Sequence, residues 1–210
     1  MIEILQYTQS IRCKFPEFLT PNMFAWKPCF IRFVFESSDV QNVFWIDSGI
    51  VTFGNIKFIF EHIEKHGVWL TEDEGWINYN FTHAVCKEIM QATNEEMEGN
   101  QLIAGLSGFN KDKGLDIVHK WCHFCSIKEC VTGIHWFPEP LHFTYLETNT
   151  HYTLYGHRHD QSILSILRIR HNLPTVQKTW EFYEFRSLEH AQKNNSLFYN
   201  HHGSYEYIQL

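Results

Sequence analysis

Apolar residues fall along this chain in two kinds of run. One kind is short and unbroken: Val43-Phe44-Trp45-Ile46 stops at Asp47-Ser48-Gly49, and Gln101-Leu102-Ile103-Ala104 runs on through Gly105-Leu106-Ser107-Gly108-Phe109 to Asn110. Consecutive large apolar residues predict a strand covered on both faces, as in the centre of a parallel sheet. The ligand crevice of such sheets lies at the strands' carboxyl ends, where Asp47 would stand. Glycines inside the second run predict that a ligand or another segment comes close there. The other kind of run has helical spacing: Cys29 to Glu36, then Ile56, Phe58, Ile59, Phe60 and Ile63 between Gly54-Asn55 and His66-Gly67. Helices are also expected over about Thr82 to Thr93, Asp112 to Phe124 and Asp160 to Arg170, the last burying Ile163, Leu164, Ile166 and Leu167.

Between these elements the pattern weakens. Val68 to Tyr79 is acidic and aromatic and reads as a loop able to close over a ligand, and Asn94 to Asn100 is polar. Thr132 to Leu154 has prolines, many aromatics and no clear period. Trp180 to Phe185 alternates like a strand, and Ser187 to Asn195 reads as a polar helix. Residues 1–24, broken by Pro16 and Pro21, are expected to be irregular. The order of strands and helices predicts an α/β fold, and 210 residues with no internal repeat predict one domain over 1–210.

Composition narrows the class. The chain is 44% hydrophobic, 16% aromatic and 20% charged, values of a globular protein and not of a disordered one. A formal charge of -7 excludes a general electrostatic attraction to nucleic acid or an anionic membrane. No window is long and apolar enough for a membrane span, and Met1 to Ser10 lacks a secretory pattern, so a soluble, cytoplasmic protein is expected. The six cysteines are scattered, which predicts reduced thiols. His119, Cys122, Cys125 and Cys130 have a spacing that zinc could use, on a segment that also reads as a helix.

Four pieces occur in a telling order: Ala25-Trp26-Lys27-Pro28; Phe44-Trp45-Ile46-Asp47-Ser48-Gly49; Ala104-Gly105-Leu106-Ser107-Gly108-Phe109-Asn110 followed by Trp121; and His157-Arg158-His159-Asp160-Gln161-Ser162. Over about residues 25–203 this set resembles nucleotide-sugar glycosyltransferases of the GT-A fold. The resemblance implies a Rossmann-like, mostly parallel sheet flanked by helices. It implies transfer of a sugar from a nucleoside-diphosphate donor to an acceptor hydroxyl of a glycan or other molecule, assisted by Mn²⁺ or Mg²⁺. Asp47 matches the first acid of the family's metal motif, Gly49 stands where a second acid is usual, and His201 or His202 before Gly203 looks like a further metal ligand. Asp47, Ser48 and Gly49 would face the donor, with Ala104-Gly105 as the strand whose backbone lies against its sugar.

The same resemblance implies roles for the remaining residues. Asp160, with Gln161, would open a helix whose dipole keeps the carboxylate ionised. In an inverting enzyme Asp160 would be the general base; in a retaining one it would orient the donor sugar. Arg158 and Lys27 would neutralise diphosphate charge. One departure is plain: about forty residues precede the Asp47 strand, too few for the strand, helix and strand that build the family's base pocket.

Each residue also has a plainer role. Asp47-Ser48-Gly49 suits any turn, Asp160 suits a helix cap with Arg158 as surface partner, and Lys27 suits the solvated flank of a helix. His201 and His202 suit structural histidines, and Trp69, Trp76 and Trp136 suit core or loop anchors as well as sugar-stacking surfaces. Two alternatives to the enzyme follow: a catalytically inactive α/β remnant or binding module without a full nucleotide pocket, and a zinc-stabilised interaction domain.

Overall fold

The computed structural model describes residues 23–134, 137–145, 150–177, 183–184, 188–193 and 196–200. Residues 43–46 lie in a strand, β1 (Asn42–Ile46). Its period of two sends Val43 and Trp45 to one hydrophobic cluster and Phe44 and Ile46 to the other, so both faces are packed, but β1 is an edge strand and its residues are half-buried, not enclosed at the centre of a sheet as the unbroken run predicts. Helix α1 (Trp26–Ser37) precedes it. Then come β2 (Ile50–Thr52), α2 (Lys57–His66), β3 (Val68–Ile77), α3 (Asn78–Phe81), α4 (Ala84–Met90), α5 (Asn94–Glu98), β4 (Asn100–Asn110), α6 (Lys111–Cys125) and α7 (Lys128–Val131). The chain continues through β5 (Leu141–Tyr145), β6 (Thr150–Leu154), α8 (His159–Arg170), β7 (Val176–Gln177), β8 (Tyr183–Glu184), α9 (Leu188–Lys193) and β9 (Phe198–Asn200).

The main sheet has the order β1-β4-β3-β7, with helices on both faces. On one face Val68, Leu70, Leu102, Ala104 and Phe109 meet Ile31 and Phe35 of α1, Ile117, Val118 and Trp121 of α6, and Ile163 and Ile166 of α8. On the other face Trp69 and Leu106 meet Ile59 and Ile63 of α2, together with Phe198. The mostly parallel pairing expected above is not what the described strands show: β4 runs antiparallel to both β1 and β3, and the β3–β7 pair is parallel. An unbroken apolar run reports that both faces are covered and says nothing of strand direction. Gly108 lets the layers close, since a Cβ there would collide with Ile63 of α2.

The expected loop over Val68 to Tyr79 is instead mostly the strand β3, paired with β4 at Val68–Leu70, Glu72–Asp73 and Ile77. Register shifts between Leu70 and Glu72 and between Asp73 and Ile77, with Gly75 at a φ of 86°, break the alternation that would have betrayed it. Thr132 to Leu154 contains the antiparallel pair β5–β6. Local chemistry explains the helix ends. Gly67, left-handed at a φ of 86°, stops α2 by donating its N–H to Ile63 O. Thr93 and Glu96 form a reciprocal capping box on α5.

Two cysteine expectations change. Cys29 of α1 and Cys122 of α6 form a disulfide, so reduced thiols do not hold for that pair. The zinc grouping loses Cys122 to this bond, and His119 lies on the surface beside Glu36. No described helix is long and apolar enough to cross a membrane.

Candidate functional site

Asp47 follows directly on β1. Its N–H donates to Gly105 O at 3.0 Å, and Ile50 N–H donates to Asp47 O at 2.9 Å, closing a tight turn in which Ser48 and Gly49 are exposed. Two residues along a strand share a face, so the Asp47 side chain lies with that of Trp45, whose Nε1 donates to Asp47 Oδ1 at 2.6 Å. Helix α1 covers this face and opens with Trp26-Lys27. The Lys27 Nζ lies 3.1 Å from Asp47 Oδ1 and 3.2 Å from Asp160 Oδ2, and it donates to Ala104 O at 3.4 Å. An ammonium has three N–H groups, and here three protein acceptors surround it. The rings of Phe24 and Trp45, 5.0 and 5.9 Å away, add cation–π attraction.

Asp160 reaches the same ammonium from the first turn of α8, where Trp121 Nε1 donates to its backbone O at 2.9 Å. Side-chain exposure is 2% for Lys27, 3% for Asp160 and 32% for Asp47, so of the three Asp47 faces solvent. Asp160 Oδ2 has the 3.2 Å ion pair with Lys27 but no hydrogen bond that meets both distance and angle. Burial lifts the Asp160 carboxyl to about 6, Lys27 pulls it down and Asp47 adds to the rise. The helix dipole invoked from sequence is therefore outweighed by desolvation, although the group is still mostly ionised at neutral pH. For Lys27 burial works against the charge, but Asp160 and Asp47 prevail and the ammonium is held above its usual range.

Gly105 makes room for this arrangement, since a Cβ there would lie 2.8 Å from Asp47 Oδ2. Two bulky residues next to the site, Phe24 and His159, hold left-handed backbone at φ values of 52° and 47°. Strain of that kind persists where the surroundings over-determine the backbone. Val131 O, 2.8 Å from His159 Nδ1, is part of that constraint.

Thus Lys27, Asp47, Ala104, Gly105 and Asp160 come together. Arg158 and Gln161 flank Asp160 in sequence but make other contacts. Arg158 Nη1 is 3.6 Å from Asp73 of β3, with its guanidinium 3.9 Å over the Phe81 ring, and Gln161 Nε2 donates to Gln101 Oε1 at 3.3 Å. His201 and His202 lie outside the described residues. Trp45 and Asp73 were not singled out from sequence. For Trp45 a signal existed, because it sits two residues before Asp47 on the same strand face; for Asp73 the unseen strand hid it.

The donor set can be tested against the divalent ion that the resemblance implies. Mg²⁺ and Mn²⁺ take about six ligands, mostly oxygen. Both described carboxylates already lie against one ammonium, and Asp47 Oδ1 also accepts from Trp45. Among the described residues no three His, Cys, Asp or Glu side chains are grouped to hold a metal. The described residues do not fit such an ion.

No family model matches the sequence, and no curated protein is similar to it. Solved structures give a distant likeness. The apo form of mouse xyloside xylosyltransferase 1 is 8% identical, with a TM-score of 0.48, covering 95% of this chain and 73% of that one. The galactosyltransferase LgtC in complex with donor and acceptor sugar analogs is 12% identical, with a TM-score of 0.38, covering 79% of this chain and 54% of that one. An active-site mutant of LgtC is 11% identical, with a TM-score of 0.38, covering 80% and 55%. Similarity at this level decides nothing about chemistry, and function has to be read from the site's own residues.

Proposed function

We propose that this chain transfers a sugar from a nucleoside-diphosphate sugar to an acceptor hydroxyl. One observation carries the reading: a carboxylate just past the edge strand β1 and another in the first turn of a distant helix meet on one buried ammonium, beside a glycine that admits the first of them. Asp47, the solvent-facing member, accepts hydrogen bonds from sugar hydroxyls through Oδ2. Asp160 stands beside the reacting carbon. In an inverting reaction its carboxylate takes the acceptor hydroxyl's proton; in a retaining one it orients the donor. A carboxyl that titrates near 6 suits a base at neutral pH, because it is ionised yet binds a proton readily. Arg158 is the group proposed for the diphosphate and would exchange its 3.6 Å contact with Asp73 for phosphate oxygens.

The test is a panel of nucleotide sugars, read as thermal stabilisation and as donor turnover. Turnover should fall at least about a hundredfold in Asp160→Asn and Asp47→Ala while both variants keep the native circular dichroism spectrum. Unchanged turnover in either variant removes that residue from the mechanism. The deep burial of Asp160 favours a second reading, an inactive module that keeps the cluster for stability. That reading expects no stabilisation by any nucleotide sugar.

A further inference from the structure

We propose that the Lys27 ammonium is the resident cation of this site, standing where paired carboxylates would otherwise recruit a divalent ion, and that the cluster so occupied takes uncharged sugar hydroxyls. The geometry is specific. Lys27 lies within 3.2 Å of an oxygen from each carboxylate, and it donates to Ala104 O. Its head is buried among these three protein oxygens, which sets it apart from a phosphate-binding lysine whose head is free.

Charge then limits what can approach. Two carboxylates and one ammonium leave a net charge of about -1, which repels phosphate oxygens. A divalent ion drawn to that charge would meet Asp47 from its open Oδ2 side with the ammonium already on Oδ1, so like charges would face each other across one carboxylate. A neutral hydroxyl meets neither obstacle. It donates to Oδ2, which accepts no hydrogen bond from any described residue, and Gly105 beside that oxygen has no side chain to block it. At Asp160 Oδ2 a metal would meet the same ammonium, 3.2 Å away.

The choice of sugar as ligand rests on the transferase reading; the claim about the cation does not. Mn²⁺ is titrated into wild-type protein and into Lys27→Met, with free Mn²⁺ read by electron paramagnetic resonance. Wild type is expected to leave Mn²⁺ free at micromolar concentrations, while Lys27→Met, with two carboxylates released, binds it at least about tenfold more tightly. Micromolar binding by wild type that Asp47→Asn abolishes would overturn the proposal, and so would a folded Lys27→Met that binds no better than wild type. Should Lys27→Met fail to fold, the wild-type and Asp47→Asn titrations decide alone. Thermal stabilisation by nucleotide sugars, with chelator and with Mn²⁺, separates the two claims. Stabilisation in chelator supports both. Stabilisation that needs Mn²⁺ refutes the resident cation and keeps the transferase. No stabilisation under either condition removes the transferase and leaves the cation to the Mn²⁺ titration.

Discussion

The two ends of helix α8 carry the same kinds of charged group in opposite conditions. At its last turn Arg168 reaches Glu72 at 2.9 Å, and Glu72 also accepts from Asn100 at 2.6 Å and Thr175 at 2.7 Å. Arg170 grips both oxygens of Glu96 at 2.7 and 2.9 Å, while Glu96 Oε2 accepts from Thr93 N–H at 3.0 Å. Burial alone would raise both glutamates. The hydrogen bonds to Glu72 and Glu96, with the arginine charges, outweigh it and hold both below the usual range. At the first turn Asp160 has an ammonium beside it but an oxygen without a hydrogen bond, and burial prevails. Glutamates with both oxygens hydrogen-bonded hold structure, whereas a carboxyl with an oxygen left without one is ready to exchange a proton.

Removing the cation from the strained end should have the largest effect. Lys27→Met leaves two carboxylates facing each other, one of them buried, and breaking a buried pair in this way costs about 3–5 kcal/mol. Urea denaturation measures it, and Lys27→Met combined with Asp160→Asn should recover part of the loss. A cost below about 1 kcal/mol would mean that the cluster is far better hydrated than its burial implies. Next comes the tie that holds α1, and with it Lys27, against α6. Opening the Cys29–Cys122 bond, which spans a sequence separation of 93, should cost about 2–4 kcal/mol, read as a lower melting temperature in dithiothreitol or in Cys29→Ser with Cys122→Ser.

A pH series sets the two ends against each other at intermediate size. Glu72 and Glu96 are lower in the folded state than in the unfolded chain, so their contribution is present above about 4.5 and is lost as pH falls through their folded values. Asp160 is raised from 3.8 to about 6, so its effect has the other sign: the folded state gains below 3.8 and loses that gain as pH rises through 6. Asp160→Asn should therefore flatten the stability profile between about 4 and 6, whereas Glu96→Gln should flatten it below about 4.5. Identical profiles for the two variants would erase the contrast.

Legibility in sequence followed the same divide between local and distant causes. Helices α1, α2, α6 and α8 showed in their periodicity because each buries a face set by its own spacing, and strands β1 and β4 showed as unbroken apolar runs because both of their faces pack. Asp47 and Asp160 could be named because each sits at an element end where an acid is conspicuous. Lys27 on sequence grounds resembled a solvated helix flank; its burial depends on carboxylates contributed by two remote segments, which no window contains. Strand β3 was hidden by its bulged register and by Glu72 and Asp73, whose partners Arg168 and Arg158 come from the region of α8. The disulfide joins cysteines whose helices pair only in the folded chain.

The smallest effect is the sharpest test of whether the two ends are independent. Thr93→Ala removes one half of the capping box on α5 and should cost about 1 kcal/mol, because Glu96 N–H loses its acceptor at 3.2 Å while Arg170 keeps Glu96 in place. Helix α8 has 12 residues, so its ends are about 16 Å apart, beyond the range at which substitutions usually couple. The costs of Thr93→Ala and Lys27→Met should then add within about 0.5 kcal/mol in the double variant. A larger interaction would mean that α8 carries strain from the capped end to Asp160, and that the well-bonded pairs help to keep that carboxyl short of partners.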